Sequence, residues 1–293
     1  MKPASERLPP HVYFLISAVF HYLGPSFAVL LFAHLSPLGV AWLRIASAGA
    51  LFALWRNPKR TFVQATPKAR RLILLLGVIL AAMNICFYLA IARLPLATVA
   101  GIEFAATIAV ALLGLRSLRN LAALGLAVTG SFLLIGFYAA SDPVGLCFAF
   151  ANALLFALYI TVGHALAAEG GASGVTRLGA AMAVAFIAAS PFGIGAVATL
   201  LAHPLLILAG IGVGLSSSVI PYICDQLAMA RLPRASFALM LSLLPAIAAI
   251  IGAVVLRQMP GPADLAGILL VVLGVGLHRP AESSPDADQR LPQ

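Results

Sequence analysis

The sequence predicts an all-α membrane protein of ten transmembrane helices, folded as two inverted five-helix repeats around a central cavity. Composition, the spacing of charges and prolines, and one repeated word carry that expectation. Hydrophobic residues make up 62% of the 293 residues and charged residues 9%, against roughly 45–50% and about 25% in soluble domains. A water-soluble globule has nowhere to hide that much apolar surface. Uncharged runs such as Val12 to Ala33 and Leu72 to Ala92 each exceed the ~18 apolar residues that mark a bilayer span.

Taken in order, the spans fall at 11–33, 37–55, 71–92, 95–115, 119–138, 143–166, 175–197, 204–230, 233–256 and 261–278. The first follows Lys2 and Arg7, but it is too long for a secretory signal core and lacks a small-residue cleavage site, so it reads as a retained span. The second ends at the basic stretch from Arg56 to Arg70, the longest connection in the chain. Pro95 and Pro233 open the fourth and ninth spans at the first-turn position, where a missing N–H costs nothing. Arg116 and Arg119 separate spans four and five, Pro143 opens the sixth, Pro204 the eighth, and Gly261 with Pro262 the tenth. The last residues, 280–293 (PAESSPDADQRLPQ), are polar and Pro-rich and read as a disordered cytoplasmic tail.

All but three of the 18 basic residues fall in the segments that face inward if the N-terminus is inside; Arg93 and Arg257 lie outside and Arg44 lies within a span. The positive-inside rule therefore places both termini in the cytoplasm. The net charge of +9 belongs to this topology rather than to a nucleic-acid partner. Cys86, Cys147 and Cys224 lie inside apolar runs with no close pair, which suggests neither a disulfide framework nor a metal site, and no cofactor is expected.

The repeated word is ARLP, at Ala92–Pro95 and again at Ala230–Pro233, 138 positions on. At that shift Cys86 also meets Cys224, Leu89 meets Leu227, Ala97 meets Ala235 and Gly114 meets Gly252. Five crossings separate the copies, so the second unit enters the membrane upside down. The expected halves are 1–138 and 139–279, and two such halves rock about a midplane site in secondary carriers. The words themselves read most simply as tight turns.

The stretches Met83-Asn84-Ile85-Cys86-Phe87-Tyr88-Leu89-Ala90, Ile102-Glu103-Phe104, Ile220-Pro221-Tyr222 and Leu241-Ser242-Leu243-Leu244-Pro245-Ala246 together resemble the EamA branch of the drug/metabolite transporter superfamily. The resemblance runs from the first span to Gly276. It implies a multi-pass carrier of the bacterial inner membrane that exports amino acids and related small metabolites by alternating access through a cavity shared by both halves. A drug, cation or nucleotide-sugar carrier of the same fold is the alternative, and a passive pore is the alternative of another class. A monomer in the lipid bilayer is expected. No ATP-binding, protease or metal motif points to an enzyme.

Glu103 is the most informative position, because a charged carboxylate near mid-span costs on the order of 3 kcal/mol. It must be protonated, paired or wet, and it is read as a substrate contact and a coupling group, with a buried structural carboxyl as the plain alternative. Arg44 carries a similar cost and is read as a receptor for a substrate carboxylate, or as a partner of Glu103 or of backbone carbonyls at a helix end. Asn84 and Tyr88 share a face of the third span, as do Asn152 and Tyr159 of the sixth, and all four are expected at the cavity. Ser242 and Tyr22 complete the expected binding set. Asp225 is read as a gate residue that can pair with Arg231, and Pro245 as a mid-span break that frees a carbonyl. The six histidines are expected mostly at span ends.

Overall fold

The computed structural model describes residues 9–55, 57–112, 117–136, 142–168, 174–229 and 244–277. Among these residues the fold is helical throughout, without a strand. In chain order the helices are α1 (Pro10–Leu30), α2 (Pro37–Trp55), α3 (Pro58–Gln64), α4 (Pro67–Ile91), α5 (Leu96–Leu112), α6 (Leu118–Gly136), α7 (Pro143–Ala168), α8 (Gly174–Ala202), α9 (Pro204–Gly214), α10 (Ile220–Met229), α11 (Leu244–Leu256) and α12 (Pro262–Leu277). Six segments are long and apolar enough to cross a membrane: His11–Ala33, Pro37–Trp55, Pro67–Ile91, Pro143–Gly163, Thr176–Ala202 and Pro204–Cys224. Leu121–Gly130, Leu244–Leu256 and Pro262–Gly274 are shorter apolar helices. The chain is a multi-pass membrane protein.

Two features depart from the sequence expectation. The connection after α2 is not a plain loop, because Pro58 opens α3 and Asn57 caps it by accepting from Arg60 N–H. Thr66 then accepts from Ala69 N–H and Pro67 opens α4 four residues before the expected start at 71. Each cap supplies an oxygen to an N–H that the first turn of a helix leaves unpaired. The second departure lies in the eighth span, where α9 and α10 are joined by a π turn at Leu215–Val219. The second ARLP word and Ser242 lie outside the described residues.

α6 packs along α12, α4 against α7 and α8, and α2 against α8 and α9. α5 meets α6, α7 and α11, while α1 lies against α10, the π turn and α11. Connections meet at the two ends of this bundle. At one end Arg93 pairs with Asp142 at 3.3 Å. There too Arg257, at φ 55°, turns the chain so that Gln258 N–H reaches Gly252 O and Gln258 Oε1 accepts Leu96 N–H, each at 3.0 Å. The left-handed Arg257 costs on the order of 1 kcal/mol, offset by a cap on the first turn of α5. At the opposite end, arginines close onto helix carbonyls: Arg70 Nε donates to Phe62 O, Arg119 Nε to Leu277 O and Arg177 to Leu166 O.

Asp142 serves two purposes at the first end, since its Oδ1 also accepts Gly145 N–H at 2.7 Å and so caps α7. That N–H, ahead of Arg93, holds the carboxyl below the usual aspartate range. A group with a depressed folded pKa contributes stability above its unfolded pKa of about 3.9 and loses it as pH falls through the folded value. Asp142→Ala therefore lowers the unfolding midpoint in detergent at pH 7, and the gap to wild type narrows as pH falls below the ordinary aspartate range. Asp142→Ser, which keeps a cap oxygen but no charge, recovers most of the loss. Equal midpoints for wild type and Asp142→Ala at pH 7 would leave the cap without effect.

Candidate functional site

The apolar interior is divided. One buried cluster takes Val40, Ala41 and Leu43 from α2, Phe87, Ala90 and Ile91 from α4, Ala149 and Ala153 from α7, and Ala196 and Leu200 from α8. A second takes Ile45, Ala48 and Phe52 from α2, Leu80 and Met83 from α4, Val162 and Leu166 from α7, and Met182 and Ala185 from α8. Along α2 the seam falls at Arg44, along α4 at Asn84, and along α7 just after Asn152. Ser217 and Ser218, buried in the π turn, and Glu103, 6% exposed on α5, are further buried polar groups.

Arg44 is 5% exposed, and a guanidinium does not shed its charge to escape the cost. The eighth span answers with acceptors. Pro221 has no N–H to close onto the carbonyl four residues before it, which is Ser217 O. Arg44 Nη2 donates to that carbonyl at 2.7 Å, and its Nε donates to Ser218 Oγ at 3.0 Å. The guanidinium also lies over the ring of Tyr88, 5.7 Å from its centroid, a cation–π contact strengthened by the dry surroundings. Of the structural partners expected for Arg44, the contacts go to the backbone carbonyl and neutral oxygens of a helix break and not to Glu103. The two remain close enough to interact electrostatically.

Glu103 Oε2 accepts from Asn152 Nδ2 at 3.1 Å, joining α5 to α7. Asn84 Nδ2 turns back to Leu80 O at 2.7 Å, so its amide nitrogen serves its own helix. Tyr88 is fully buried, edge-on to Phe87 and Phe32. Tyr22 lies within electrostatic reach of Glu103 and packs edge-on to His21. Tyr159, seven residues on from Asn152 along α7, stacks on Phe156 and tilts against Tyr222. Pro245 is buried at the start of α11, and what precedes it lies outside the described residues, as do the side chain of Asp225 and Arg231. Among the described residues, no group of three or more His, Cys, Asp or Glu is placed to hold a metal ion.

Sequence reasoning missed Ser217, Ser218 and His21. The run Ser216-Ser217-Ser218 followed by Pro221 was the available signal. His21 sits inside α1 rather than at a span end, near Arg44. Two buried oxygens, Tyr88 Oη beside the guanidinium and Ser217 Oγ beside Tyr88, make no hydrogen bond of good geometry. Leaving a buried polar group unpaired costs about 1–3 kcal/mol.

Residues 143–278 match the EamA-like transporter family. The chain is 29% identical over 266 residues to the threonine/homoserine exporter RhtA of Escherichia coli K12, covering 90% of this chain and 88% of the exporter. It is also 29% identical over 279 residues to the threonine/homoserine exporter RhtA of Salmonella typhimurium LT2, covering 93% and 91%. A protein of known crystal structure shares the fold, with a TM-score of 0.60 at 17% identity over 92% of this chain and 97% of its own.

The close approach of α1 to the π turn depends on Gly24. A Cβ there would meet Ser217 Oγ and would lie 2.7 Å from Ser217 N, a backbone atom that cannot swing aside. Gly24→Ala therefore destabilises the protein by about 1–3 kcal/mol, the usual scale for overpacking, read as a lower unfolding midpoint in detergent. Gly212→Ala, where nothing lies within 4 Å of the added carbon, leaves the midpoint unchanged or higher. Equal behaviour of the two variants would refute the contact.

Proposed function

We propose that this chain, an EamA-type member of the drug/metabolite transporter superfamily, is a secondary carrier that exports amino acids and related small metabolites from the bacterial cytoplasm by alternating access. The halves are 1–138 and 139–279, inserted in opposite directions, with both termini in the cytoplasm and the cargo site between the halves. The observation that carries this reading is the Glu103–Asn152 hydrogen bond, a carboxylate from one half held by an amide from the other at the polar level between two apolar cores.

The choice of packing partners supports the inverted halves. Exchanging the first five spans for the second five leaves α2 against α8, α5 against α11 and α6 against α12. The same exchange turns the α4–α7 contact into that of α1 with α10, α4–α8 into α2–α9, and α5–α7 into α1–α11. A pseudo-twofold axis in the membrane plane produces this correspondence. Arg70, Arg119 and Arg177 at one end of the bundle favour that end as the cytoplasmic one.

The cargo follows from the chemistry of the level and from the relatives, which are named for threonine and homoserine. Glu103 and Asn152 suit an ammonium group, and an anionic cargo larger than one carboxylate would meet, among the described residues of this level, one buried cation, Arg44. In proteoliposomes, unlabelled threonine on the far side accelerates entry of labelled threonine. Glu103→Gln lowers that exchange by about tenfold or more, the scale of one lost hydrogen bond to a charged group. Label movement indifferent to far-side threonine would indicate a pore, and unchanged exchange in Glu103→Gln would remove Glu103 from the site.

A further inference from the structure

The polar level holds more donors than the Glu103–Asn152 contact uses. Two of the N–H groups of Arg44 are engaged, Nε with Ser218 Oγ and one on Nη2 with Ser217 O. Tyr88 Oη lies beside the guanidinium and Ser217 Oγ beside Tyr88, each on a residue with no exposed surface, and neither oxygen makes a hydrogen bond of good geometry. These groups come from α2, α4 and the π turn, so no single local pattern forces them together. Natural interiors rarely leave such atoms unpaired, and a ligand that visits the site is one physical reason to do so.

The donor set selects its ligand. A guanidinium edge flanked by two hydroxyls matches the plane and the spread lone pairs of a carboxylate. A cation is repelled by Arg44. A phosphate dianion would bring a second negative charge into a level that already holds Glu103, with one buried guanidinium nearby to balance it. We infer that Arg44, Tyr88 and Ser217 form a carboxylate-binding subsite for the cargo, with Ser218 the positioning residue that fixes the guanidinium through Nε. The assignment of the cargo's other end, an ammonium at Glu103, rests on the amino-acid reading above; the carboxylate subsite does not. In the present structure the subsite is closed, since Gly24 of α1 lies against the backbone of Ser217, and the groups become accessible as α1 and the π turn part.

Binding to the purified full-length protein tests this with three probes: threonine, threoninol, in which an alcohol replaces the carboxylate, and 3-hydroxybutyrate, which lacks the ammonium. Wild type binds threonine at least about tenfold more tightly than threoninol. Tyr88→Phe and Ser217→Ala, which each remove one oxygen, weaken threonine by several-fold to about tenfold and leave threoninol unchanged. Ser218→Ala weakens threonine likewise, and Ser218→Thr, which keeps the acceptor oxygen, restores it. Threoninol binding as well as threonine to wild type overturns the subsite. So does an equal loss of both probes in Tyr88→Phe and Ser217→Ala, which marks a purely structural role. If wild type binds 3-hydroxybutyrate but not threonine, and the two variants lose it, the amino-acid reading fails while the subsite stands. If neither carboxylate binds wild type, the subsite is overturned.

Discussion

A buried guanidinium sets the terms for much of this interior. Arg44 cannot be made neutral by losing a proton, so a span that carries it must be met by acceptors, and the apolar faces of regular helices offer none. Every backbone carbonyl of a regular helix is already engaged. The eighth span supplies an oxygen by ceasing to be regular: Pro221 withholds the N–H that would close onto Ser217 O, and the turn widens to π geometry over Leu215–Val219. The irregularity then makes its own demands. A widened turn approaches α1 and α2 closely, and glycine stands at both contacts, Gly24 against Ser217 and Gly214 against Ser47 and the backbone of Ala48. One charge thus accounts for a helix defect and for two positions where a side chain has no room.

The same charge explains why the apolar interior is divided. In lipid, burying apolar side chains between helices gains little over leaving them in hydrocarbon, so helix association rests on close packing and interhelical hydrogen bonds. Here, besides those at the bundle ends, several hydrogen bonds that join distant segments gather near one level: Arg44 to the π turn, Glu103 to Asn152, and Ser17 Oγ to Pro221 O. Ser47 Oγ adds another, to Gly210 O. Apolar side chains fill the volume on both sides and exclude water. Within such surroundings each polar contact is strengthened, and each unpaired polar atom is correspondingly costly.

Much of this was legible in the sequence, for identifiable reasons. Spans are read from length and composition, and the helices from Pro37 to Trp55 and from Pro143 onward begin where their prolines predicted. Arg44, Glu103, Asn84, Tyr88 and Asn152 stood out because a polar letter in an apolar run carries a cost that must be met. Their partners did not stand out. The acceptor for Arg44 is a backbone carbonyl 173 positions away, and a carbonyl is not a letter. Pro221 was visible, yet which side chain would reach the oxygen it frees depends on helix packing. The Asn152–Glu103 bond joins two residues flagged separately, because helical periodicity orders residues along one helix and says nothing about which faces meet. Asn152 and Tyr159, seven residues apart on one helix face, lie about 10 Å apart along it, and Asn152 meets Glu103 while Tyr159 meets Phe156 and Tyr222.

The placement of charges bears on how the two proposed halves would move. Divided at residue 138 as proposed, Arg44 and Glu103, the ionisable groups described at the polar level, belong to the first half, while their hydrogen-bond partners Ser217, Ser218 and Asn152 are neutral and belong to the second. Had the charges been opposite and split across the halves, closure would set two buried ions against each other, and separation would strand both at a cost of several kcal/mol. With the charges on one side, their separation is fixed within that half, and relative motion exchanges neutral partners only. Water or a dipolar cargo can replace a hydroxyl, a carbonyl or an amide at small net cost. In the proposed carrier, two arrangements of the halves could then lie close in free energy, which is what alternation between them requires.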